Sequence, residues 1–334
     1  MNTWVTFPGL GIDPFMMNRT AISFSIFGKE INIAWYGIII VIGIISAFIY
    51  ACRRAKQVGV NIDTMIDYTL FTVVISVISA RLYYVIFYSE GSYDSFYDVI
   101  AIWNGGLAIY GAIIGGALTV IVISKIKKKN FFIMADFIAP AVMLGQIIGR
   151  WGNFVNGEAH GTVTTLPWRM GIVSTYSTDA PAASAFLCYH PTFLYESLWN
   201  LIGFILINVF YKKRRFNGEV LCWYVAWYGF GRGFIELLRT DSLMIGPLRV
   251  SSLLGFVSFA VAAAVLIAVP IIKKKQAAAA VSSVETTAEA SVGDDAETAE
   301  IAETATEPEG RSVTEKADGG EDTAETDKKD ESGD

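Results

Sequence analysis

Charged side chains are scarce in this sequence, and histidine and cysteine are scarcer still. Lys, Arg, Asp and Glu make up 17% of the 334 residues, against about a quarter in soluble domains. The three cysteines, Cys52, Cys188 and Cys222, lie far apart, without a CxxC pair or the spacing of a zinc site. The low charge excludes an ordinary soluble domain. The cysteine pattern argues against a disulfide framework, and we predict no metal site and no cofactor.

The few charges are segregated along the chain. Residues 276–334 contain 18 acidic and 4 basic side chains, a net charge of about −14, which leaves about +8 for residues 1–275. This last stretch is rich in Ala, Thr, Glu and Asp and has no aromatic residue. It cannot bury enough apolar surface to offset the entropy cost of ordering. We therefore predict a disordered acidic tail over residues 276–334.

Long apolar runs account for most of the remaining sequence. A helix needs about 20 mostly apolar residues to cross a bilayer. Seven stretches qualify, at residues 31–52, 65–88, 106–124, 132–151, 192–211, 219–238 and 251–272. The sequence thus predicts an all-α integral membrane protein with a seven-helix membrane domain over residues 31–275. Residues 1–30 lack a basic region followed by an apolar core, so we do not interpret them as a signal peptide.

Basic clusters set the predicted orientation. They follow the first, third, fifth and seventh predicted spans: Arg53, Arg54 and Lys56; Lys125, Lys127, Lys128 and Lys129; Lys212, Lys213, Arg214 and Arg215; Lys273, Lys274 and Lys275. Basic loops stay in the cytoplasm. The N-terminal segment, residues 1–30, is therefore predicted to be extracytoplasmic, and the acidic tail cytoplasmic.

Polar residues inside the predicted spans are functional candidates, because an ionisable group in lipid is costly unless it is paired or hydrated. Arg232 lies about 20 Å beyond Glu219 along its helix at 1.5 Å per residue. Similar estimates place polar residues of five spans in the outer half of the bilayer: Tyr36, Arg81, Tyr110, Arg150 and Arg232. The arginines outnumber nearby carboxylates, and a planar guanidinium suits phosphate. This pattern predicts an anionic ligand at the depth of lipid headgroups.

Two sequence patterns refine this prediction and leave alternatives open. In the sixth span, Tyr228, Arg232, Glu236 and Arg239 recur at i, i+4, i+8 and i+11 and share one helical face. The alternative is that Arg232 and Glu236 simply pair with each other. The fourth span ends in GRWGNFVNGE at residues 149–158, whose polar groups a headgroup would satisfy; helix termination and capping would explain only part of it.

The glycines of the third span have a structural interpretation. Gly111 and Gly115 form a GxxxG pair, which allows close approach of two helices. Tyr110, directly before this pair, remains available for chemistry.

The run at residues 149–158, followed by Gly161, resembles the signature of bacterial prolipoprotein diacylglyceryl transferases. Shorter segments agree in the same order: Trp35-Tyr36-Gly37, residues 105–111, Asp136 to Pro140, His190-Pro191 with Leu194-Tyr195-Glu196, and Tyr228-Gly229 with Arg232 and Glu236. The resemblance covers roughly residues 31–272. It implies a seven-span enzyme of the bacterial cytoplasmic membrane, with its active site toward the outer leaflet.

The resemblance also implies a reaction. The lipobox cysteine thiol of a prolipoprotein attacks the glyceryl carbon of phosphatidylglycerol, a thioether forms, and glycerol phosphate leaves. By resemblance, Arg150 and Arg232 stabilise the leaving phosphate, Asn153 and Asn156 donate to the headgroup, and Glu158 and Glu236 orient the arginines or bind glycerol hydroxyls. Tyr36 positions the lipid. Gly161 and Tyr228 complete the predicted substrate site.

The base that deprotonates the thiol stays open. Where many family members have histidine, this chain has Tyr110, and a phenol with its ordinary pKa near 10 is a poor base at neutral pH. Neighbouring arginines would lower that pKa; otherwise the thiol loses its proton to water, or His160 takes the role.

Two other functions also remain possible at this stage. A membrane transporter often shows internal repeats and broken helices, and the two halves of this sequence show no duplication. Another lipid-headgroup-binding protein, such as a metal-dependent phosphotransferase, needs clustered carboxylates, and the predicted spans contain no paired-Asp motif. No sequence feature predicts a nucleic-acid partner.

Overall fold

The computed structural model describes residues 2–26, 28–87, 93 and 95–303, and this part of the chain is mostly helical. Its α-helices are α1 (Trp35–Gln57), α2 (Ile62–Phe87), α3 (Phe96–Ile100), α4 (Ile109–Ile126), α5 (Phe131–Asn156), α6 (Thr192–Phe210), α7 (Glu219–Leu238) and α8 (Val250–Glu303). Its strands are β1 (Asn2–Phe7), β2 (Ile12–Met17), β3 (Thr20–Ile26), β4 (Lys29–Ala34), β5 (Met170–Thr175), β6 (Leu187–Tyr189), β7 (Met244–Ile245) and β8 (Leu248–Arg249).

Within the described residues, six helical segments are long and apolar enough to cross a membrane. They are Trp35–Gln57, Ile62–Phe87, Ile109–Ile126, Phe131–Asn156, Thr192–Lys213 and Val250–Val281. The remaining predicted span does form a helix, α7, with 20 residues. It is less apolar because Glu219, Arg232 and Glu236 lie within it.

The mostly helical structure is consistent with the predicted all-α membrane protein, and short strands accompany the helices. A four-stranded antiparallel sheet has the order β2-β1-β5-β6, and β3 and β4 form a separate hairpin. In β3, Ile22 and Phe24 alternate with Ser23 and Ser25, which is the period-two pattern of a strand. The strand β4 runs directly into α1, so the first long helix begins at Trp35 rather than at residue 31.

The sheet joins the N-terminal segment to the connection between α5 and α6. Trp4 of β1 is paired with Val173 of β5. Val5 is fully buried and packs in one apolar cluster with Met170 and with Phe193 of α6. Burial of this cluster anchors the N-terminal segment to the same end of the bundle at which α5 ends and α6 begins.

Small residues allow the helices to pack closely, as the GxxxG pair predicts. A Cβ added at Gly111 would lie 2.3 Å from the carbonyl oxygen of Ser79, and one added at Gly115 would lie 2.3 Å from its Oγ. Both contacts join α4 to α2, so the predicted role of these glycines is confirmed. At the start of α7, the carboxylate of Asp136 in α5 accepts hydrogen bonds from the amides of Gly218 (2.9 Å) and Leu221 (3.1 Å). This cap fixes α7 beside α5.

The structure also differs from the predicted tail. Helix α8 continues to Glu303, so residues 276–303 are helical where the composition predicts disorder. The reason is that an existing helix needs no new nucleus, and this stretch is rich in Ala and Glu, which favour helix. The chain divides into the units Met1–Lys274 and Lys275–Asp334. Residues 304–334 of the predicted tail lie outside the described residues.

Candidate active site

Helix α5 carries its polar residues on one face near its end. The sequence predicted that this span ends at residue 151, but α5 continues to Asn156 and stops at Gly157, which has a left-handed backbone (φ 65°). Arg150, Asn153 and Asn156 therefore stand at i, i+3 and i+6 of a regular helix, on neighbouring turns of one face. Residues 152–156, which lie beyond the predicted end of the span, are thus helical, and the helix holds these side chains more rigidly than a loop would.

A buried carboxylate, Glu196 of α6, binds this arginine and two others. Its side chain is 3% exposed and lies 2.7 Å from Arg150 (Oε2 to Nη2) and 2.8 Å from Arg232 of α7 (Oε1 to Nη1). Arg239, just after α7, lies 3.5 Å from Oε1. Glu196 thus joins three elements that are distant in sequence. Glu196 was not among the predicted site residues, although a carboxylate inside an apolar span requires a partner.

The other carboxylates complete the cluster. Glu236 Oε2 lies 2.6 Å from Arg232 Nη2, one helical turn away, which confirms the pairing kept open as an alternative. Arg239 donates two hydrogen bonds to Asp241, at 3.0 and 2.7 Å. Burial acts to raise the pKa of the Asp241 carboxyl, but the hydrogen bond and charge of Arg239 outweigh it and hold that pKa below its ordinary value.

This pairing corrects the predicted surplus of arginine. Within the cluster, the guanidiniums of Arg150, Arg232 and Arg239 meet the carboxylates of Glu196, Glu236 and Asp241, so positive and negative groups balance. The predicted surplus rested on the depth of the arginines alone and omitted the partners Glu196 and Asp241. An anionic ligand would therefore be recognised by directed N–H donors rather than by excess charge.

Arg81 and Tyr110 were predicted to join this group, but their described contacts lie elsewhere. Arg81 donates to the carbonyl oxygens of Asp98 (2.7 Å), Val99 (2.8 Å), Gly105 (2.7 Å) and Gly106 (3.0 Å), and so holds the segment before α4. The Tyr110 hydroxyl lies 2.9 Å from Ser251 Oγ at the start of α8. The expected contact between Tyr110 and the arginines is not among the contacts described for these residues.

Four of the predicted substrate-binding residues lie close together near the end of α5. A Cβ added at Gly152 would lie 2.8 Å from the Tyr36 ring, so this ring lies against α5 between Arg150 and Asn153. Asn153 Nδ2 donates to Glu158 Oε1 at 2.9 Å, and Asn156 Nδ2 donates to the same oxygen at 3.4 Å. The structure brings Tyr36, Asn153, Asn156 and Glu158 together beside Arg150, as predicted.

Gly161 and Tyr228 have different surroundings. The buried Gly161 donates its amide to the His190 carbonyl at 2.9 Å, and a Cβ there would lie 2.7 Å from the His190 Cβ and 3.1 Å from the Leu238 carbonyl oxygen. Gly161 is thus required for close backbone packing. Tyr228 lies one turn before Arg232 and stacks on Tyr224, with ring centroids 5.9 Å apart.

A fourth arginine beside the cluster, Arg249, was not predicted from the sequence. Its Nη1 donates to the Glu236 carbonyl oxygen at 2.6 Å and also to the Arg239 carbonyl oxygen. A cation bound to the last carbonyls of a helix is favourable both as a cap and for the helix dipole. Arg249 therefore fastens the connection between α7 and α8 to the end of α7 that carries Glu236. No sequence pattern marked it, since it lies outside the predicted spans.

His160, the alternative base, lies in the segment after the α5 end. Its ring packs against Tyr189 with centroids 4.2 Å apart, and its Nδ1 lies 3.3 Å from the Gly161 carbonyl oxygen. His190 Nδ1 lies 3.2 Å from the Tyr195 hydroxyl, and the His190 backbone hydrogen-bonds to Gly161, so His190 has a structural role just before α6.

Arg150 is the arginine best placed to contact a ligand. Its side chain is 19% exposed, against 16% for Arg232 and 11% for Arg239. A guanidinium has five N–H donors, and Arg150 directs donors to Glu196 and, at 3.4 Å, to Asn153. The remaining donors of Arg150 can bind an oxyanion while Glu196 holds the group in place.

The fold and this site define a multi-pass membrane protein with a charged site built by three of its helices. Comparison with known proteins identifies the family. A family profile described as "Prolipoprotein diacylglyceryl transferase" matches residues 21–268. Among curated relatives, the phosphatidylglycerol–prolipoprotein diacylglyceryl transferases of Listeria welshimeri, Limosilactobacillus reuteri and Finegoldia magna are 43%, 43% and 44% identical. These matches cover 68%, 72% and 72% of this chain and 82%, 88% and 90% of the relatives.

The chain therefore belongs to the prolipoprotein diacylglyceryl transferase family, and the family assignment made from the sequence is confirmed. The membrane helices and the relatives together establish a multi-pass membrane protein.

Proposed function

We propose that this chain transfers the sn-1,2-diacylglyceryl group of phosphatidylglycerol to the cysteine thiol of a prolipoprotein, the first step of lipoprotein maturation. The thiol sulfur bonds to the glyceryl carbon next to the phosphate, and the carbon–oxygen bond to that phosphate breaks. The phosphate oxygen leaves with the bonding electrons as glycerol phosphate, and the thiol proton passes to a base. Family membership supports this activity, and one observation carries its chemistry, the pairing of Arg150 and Arg232 on Glu196.

The paired arginines would stabilise the leaving group. Negative charge grows on the phosphate as the carbon–oxygen bond breaks, and donors fixed in advance stabilise that charge without reorganising. Glu196 holds Arg150 with one carboxylate oxygen and Arg232 with the other, so both guanidiniums face a common carboxylate at 2.7 and 2.8 Å. Glu236 binds the other terminal nitrogen of Arg232 at 2.6 Å. In this arrangement Arg150 contacts the phosphate, and Glu196 and Glu236 act as positioning residues.

The end of α5 supplies the proposed headgroup contacts. Each side-chain amide of Asn153 and Asn156 gives one hydrogen to Glu158, and a second hydrogen on the same nitrogen remains to donate. Tyr36 forms one wall of this region through its contact with Gly152. Gly161 is proposed to act by packing, and Tyr228 by lining the face below Arg232. These contacts would orient the lipid with its phosphate toward Arg150.

We propose two side chains as candidates for the base that takes the thiol proton. By the family resemblance, Tyr110 stands at the position of a histidine, and its hydroxyl shares a hydrogen bond with Ser251. His160 lies in the segment that follows the Arg150 helix. Proton loss from the thiol to water is the third possibility, and the pH dependence of Tyr110→Phe, described below, tests the first.

We propose seven spans, namely the six long apolar helical segments together with α7, and an extracytoplasmic N-terminus. Several contacts support this topology. Arg54 at the end of α1 lies over the Tyr211 ring after α6 at 4.3 Å, and Lys127 after α4 pairs with Asp67 of α2 at 2.5 Å. Lys273 lies over Phe216, before α7, at 5.8 Å. The basic clusters thus gather at helix ends opposite to the sheet that holds the N-terminal segment.

This topology places the charged cluster toward the outer leaflet of the bacterial cytoplasmic membrane. There it would meet phosphatidylglycerol and the lipobox of a secreted prolipoprotein, whose cysteine emerges on that side. The tail after residue 275 would then be cytoplasmic.

A mass-spectrometric transfer assay tests the proposal. Purified full-length protein is mixed with phosphatidylglycerol and a synthetic lipobox peptide, beside the variants Arg150→Ala and Arg53→Ala. Arg53 is an exposed arginine of α1, outside the cluster, and serves as the matched control. We expect a diacylglyceryl mass gain on the peptide cysteine with the unmodified protein and with Arg53→Ala, and its loss with Arg150→Ala. A folded protein that gives no mass gain would instead favour transport or simple headgroup binding.

A further inference from the structure

Beneath the charged cluster lies a second polar layer, formed by Gln146, Asn200, Tyr224 and Tyr228. Gln146 lies one turn before Arg150 in α5, Asn200 one turn after Glu196 in α6, and Tyr228 one turn before Arg232 in α7. Residues four apart share a helical face, and the spacing corresponds to about 6 Å along each helix. We call these four residues the lower polar layer.

Cross-helix hydrogen bonds fix the level of Asn200 within this layer. Ser197 Oγ of α6 donates to the carbonyl oxygen of Ile147, the residue after Gln146, at 3.0 Å. Trp199 and Trp227 stack at 4.3 Å, and each indole donates to the other residue's carbonyl oxygen, at 2.9 and 2.8 Å. Asn200 follows Trp199 directly. It therefore lies at about the same depth along the helix bundle as Gln146 and as the stretch of α7 that carries Tyr224 and Tyr228.

Asn200 is buried without a partner in the described part of the chain. The residue is 1% exposed, and neither its Nδ2 nor its Oδ1 has a hydrogen-bond partner there. The Oε1 of Gln146 is also buried and unpaired, although its Nε2 donates to the Tyr224 hydroxyl at 3.0 Å. Leaving such groups unpaired is costly in an apolar interior. Within the described residues, the lower polar layer thus leaves one donor group and two acceptor oxygens unpaired.

The chemistry of these atoms selects among possible occupants. A lipid ester has only acceptor oxygens and would leave the oxygens of Gln146 and Asn200 unpaired. A peptide main chain offers both N–H donors and carbonyl acceptors, which matches a carboxamide with both of its groups free. Main-chain groups at membrane depth must be satisfied within the protein. The lower polar layer therefore fits an unpaired stretch of peptide better than an acyl chain.

We infer that Asn200, aided by Gln146, binds the main chain of the prolipoprotein substrate just before its cysteine; this inference rests on the proposed function. The apolar segment of a secretory signal precedes its processing site, so residues before the cysteine lie deeper in the membrane than the cysteine itself. An offset of about 6 Å equals roughly two residues of extended chain at about 3.3 Å each. Asn200 is thus a specificity-determining residue for an extended peptide backbone, whatever the side chains of that stretch.

Backbone-ester substrates test this inference directly. Lipobox peptides are made in which one of the three amides before the cysteine is replaced by an ester, which removes a single N–H donor. The specificity constant of transfer, kcat/KM, is measured with each peptide for the unmodified protein and for Asn200→Leu. The matched control is Asn208→Leu, which makes the same change two turns further along α6, where Asn208 is held by Tyr50 and Arg54.

We expect one ester position to lower kcat/KM on the order of tenfold in the unmodified protein and in Asn208→Leu. In Asn200→Leu that same ester should have little further effect, since the partner of the missing N–H is already gone. The KM for phosphatidylglycerol should stay unchanged in Asn200→Leu.

Three results would overturn the inference. In the first, the unmodified protein gives the same kcat/KM with all three ester peptides as with the amide peptide. This result does not depend on whether Asn200→Leu folds. The effects of ester and Asn200→Leu could multiply independently, as a purely structural role or a bound water would produce. A raised KM for the lipid with an unchanged peptide KM would assign the layer to phosphatidylglycerol. Absence of transfer to every peptide by the unmodified protein would contradict the proposed function instead.

Discussion

Replacing Glu196 by glutamine removes the charge on which the proposed site depends. The side chain is 3% exposed, and it is the described ion-pair partner of Arg150, whereas Arg232 keeps Glu236. Loss of one member of a buried ion pair costs about 3–5 kcal/mol. Glutamine keeps the shape and one acceptor oxygen, so we expect a loss of about 3 kcal/mol in the free energy of unfolding.

The same change should abolish most of the transfer activity. Without the carboxylate, Arg150 and Arg232 repel each other, and a displacement of about 1 Å at a reacting centre can cost about 100-fold in rate. We expect Glu196→Gln to lower kcat at least about 100-fold with a smaller change in the KM for phosphatidylglycerol. Transfer to a lipobox peptide gives the rate, and thermal unfolding in lipid nanodiscs gives the stability.

A matched control separates the loss of this pair from the loss of any buried carboxylate. Glu219 is also fully buried, but its partner Arg215 is 57% exposed and lies at the opposite end of α7. After Glu219→Gln, water can solvate Arg215, so we expect kcat to stay within about threefold of normal. Near-normal turnover by folded Glu196→Gln would refute the proposal that this carboxylate aligns the arginines.

Four further changes test other parts of the account. Arg150→Lys should lose about 99% of activity while still inserting in the membrane, because an ammonium cannot bind phosphate through a planar fork; near-normal transfer would remove Arg150 from the mechanism. Tyr110→Phe should abolish the rise of kcat with pH if this hydroxyl is the base, and an unchanged pH–rate profile would assign proton removal elsewhere. Gly161→Ala should lower the free energy of unfolding by about 1–3 kcal/mol and remove most of the activity, because the added Cβ would lie 2.7 Å from the His190 Cβ. In a melting assay the control is Gly37→Ala, since the added Cβ there would have open space around it. Truncation after Lys275 should leave transfer intact, and a correctly inserted but inactive truncation would give the tail a role in catalysis.

Much of the candidate site followed from depth and spacing along single helices. The prediction that Arg150 and Arg232 meet, with Tyr36 beside them, holds because the start of α1 lies on the same side of the bundle as the last turns of α5 and α7. Helical periodicity is local, so the face shared by Arg232 and Glu236 could be read directly from the sequence.

The features that sequence reasoning missed depend on contacts between distant segments. Glu196 became the centre of the cluster only because α5, α6 and α7 pack together, which no local pattern specifies. Arg81 was counted as a free charge, but its partners are backbone carbonyls, which composition does not reveal. The pairing of β1 with β5 joins two segments that are separated in the sequence by four long helices. Strands this short also give only a weak periodic signal in the sequence.

The central claim is that a glyceryl carbon moves to sulfur while its phosphate leaves through the site at Arg150. The most direct measurement uses phosphatidylglycerol labelled with ¹⁸O at the oxygen that bridges the acylated glyceryl carbon and the phosphorus. Thioether peptide and glycerol phosphate are then quantified together. The account predicts equal amounts of both, with the label entirely in glycerol phosphate, and neither product with Arg150→Ala. Lipid breakdown without thioether peptide, or glycerol phosphate without the label, would contradict it.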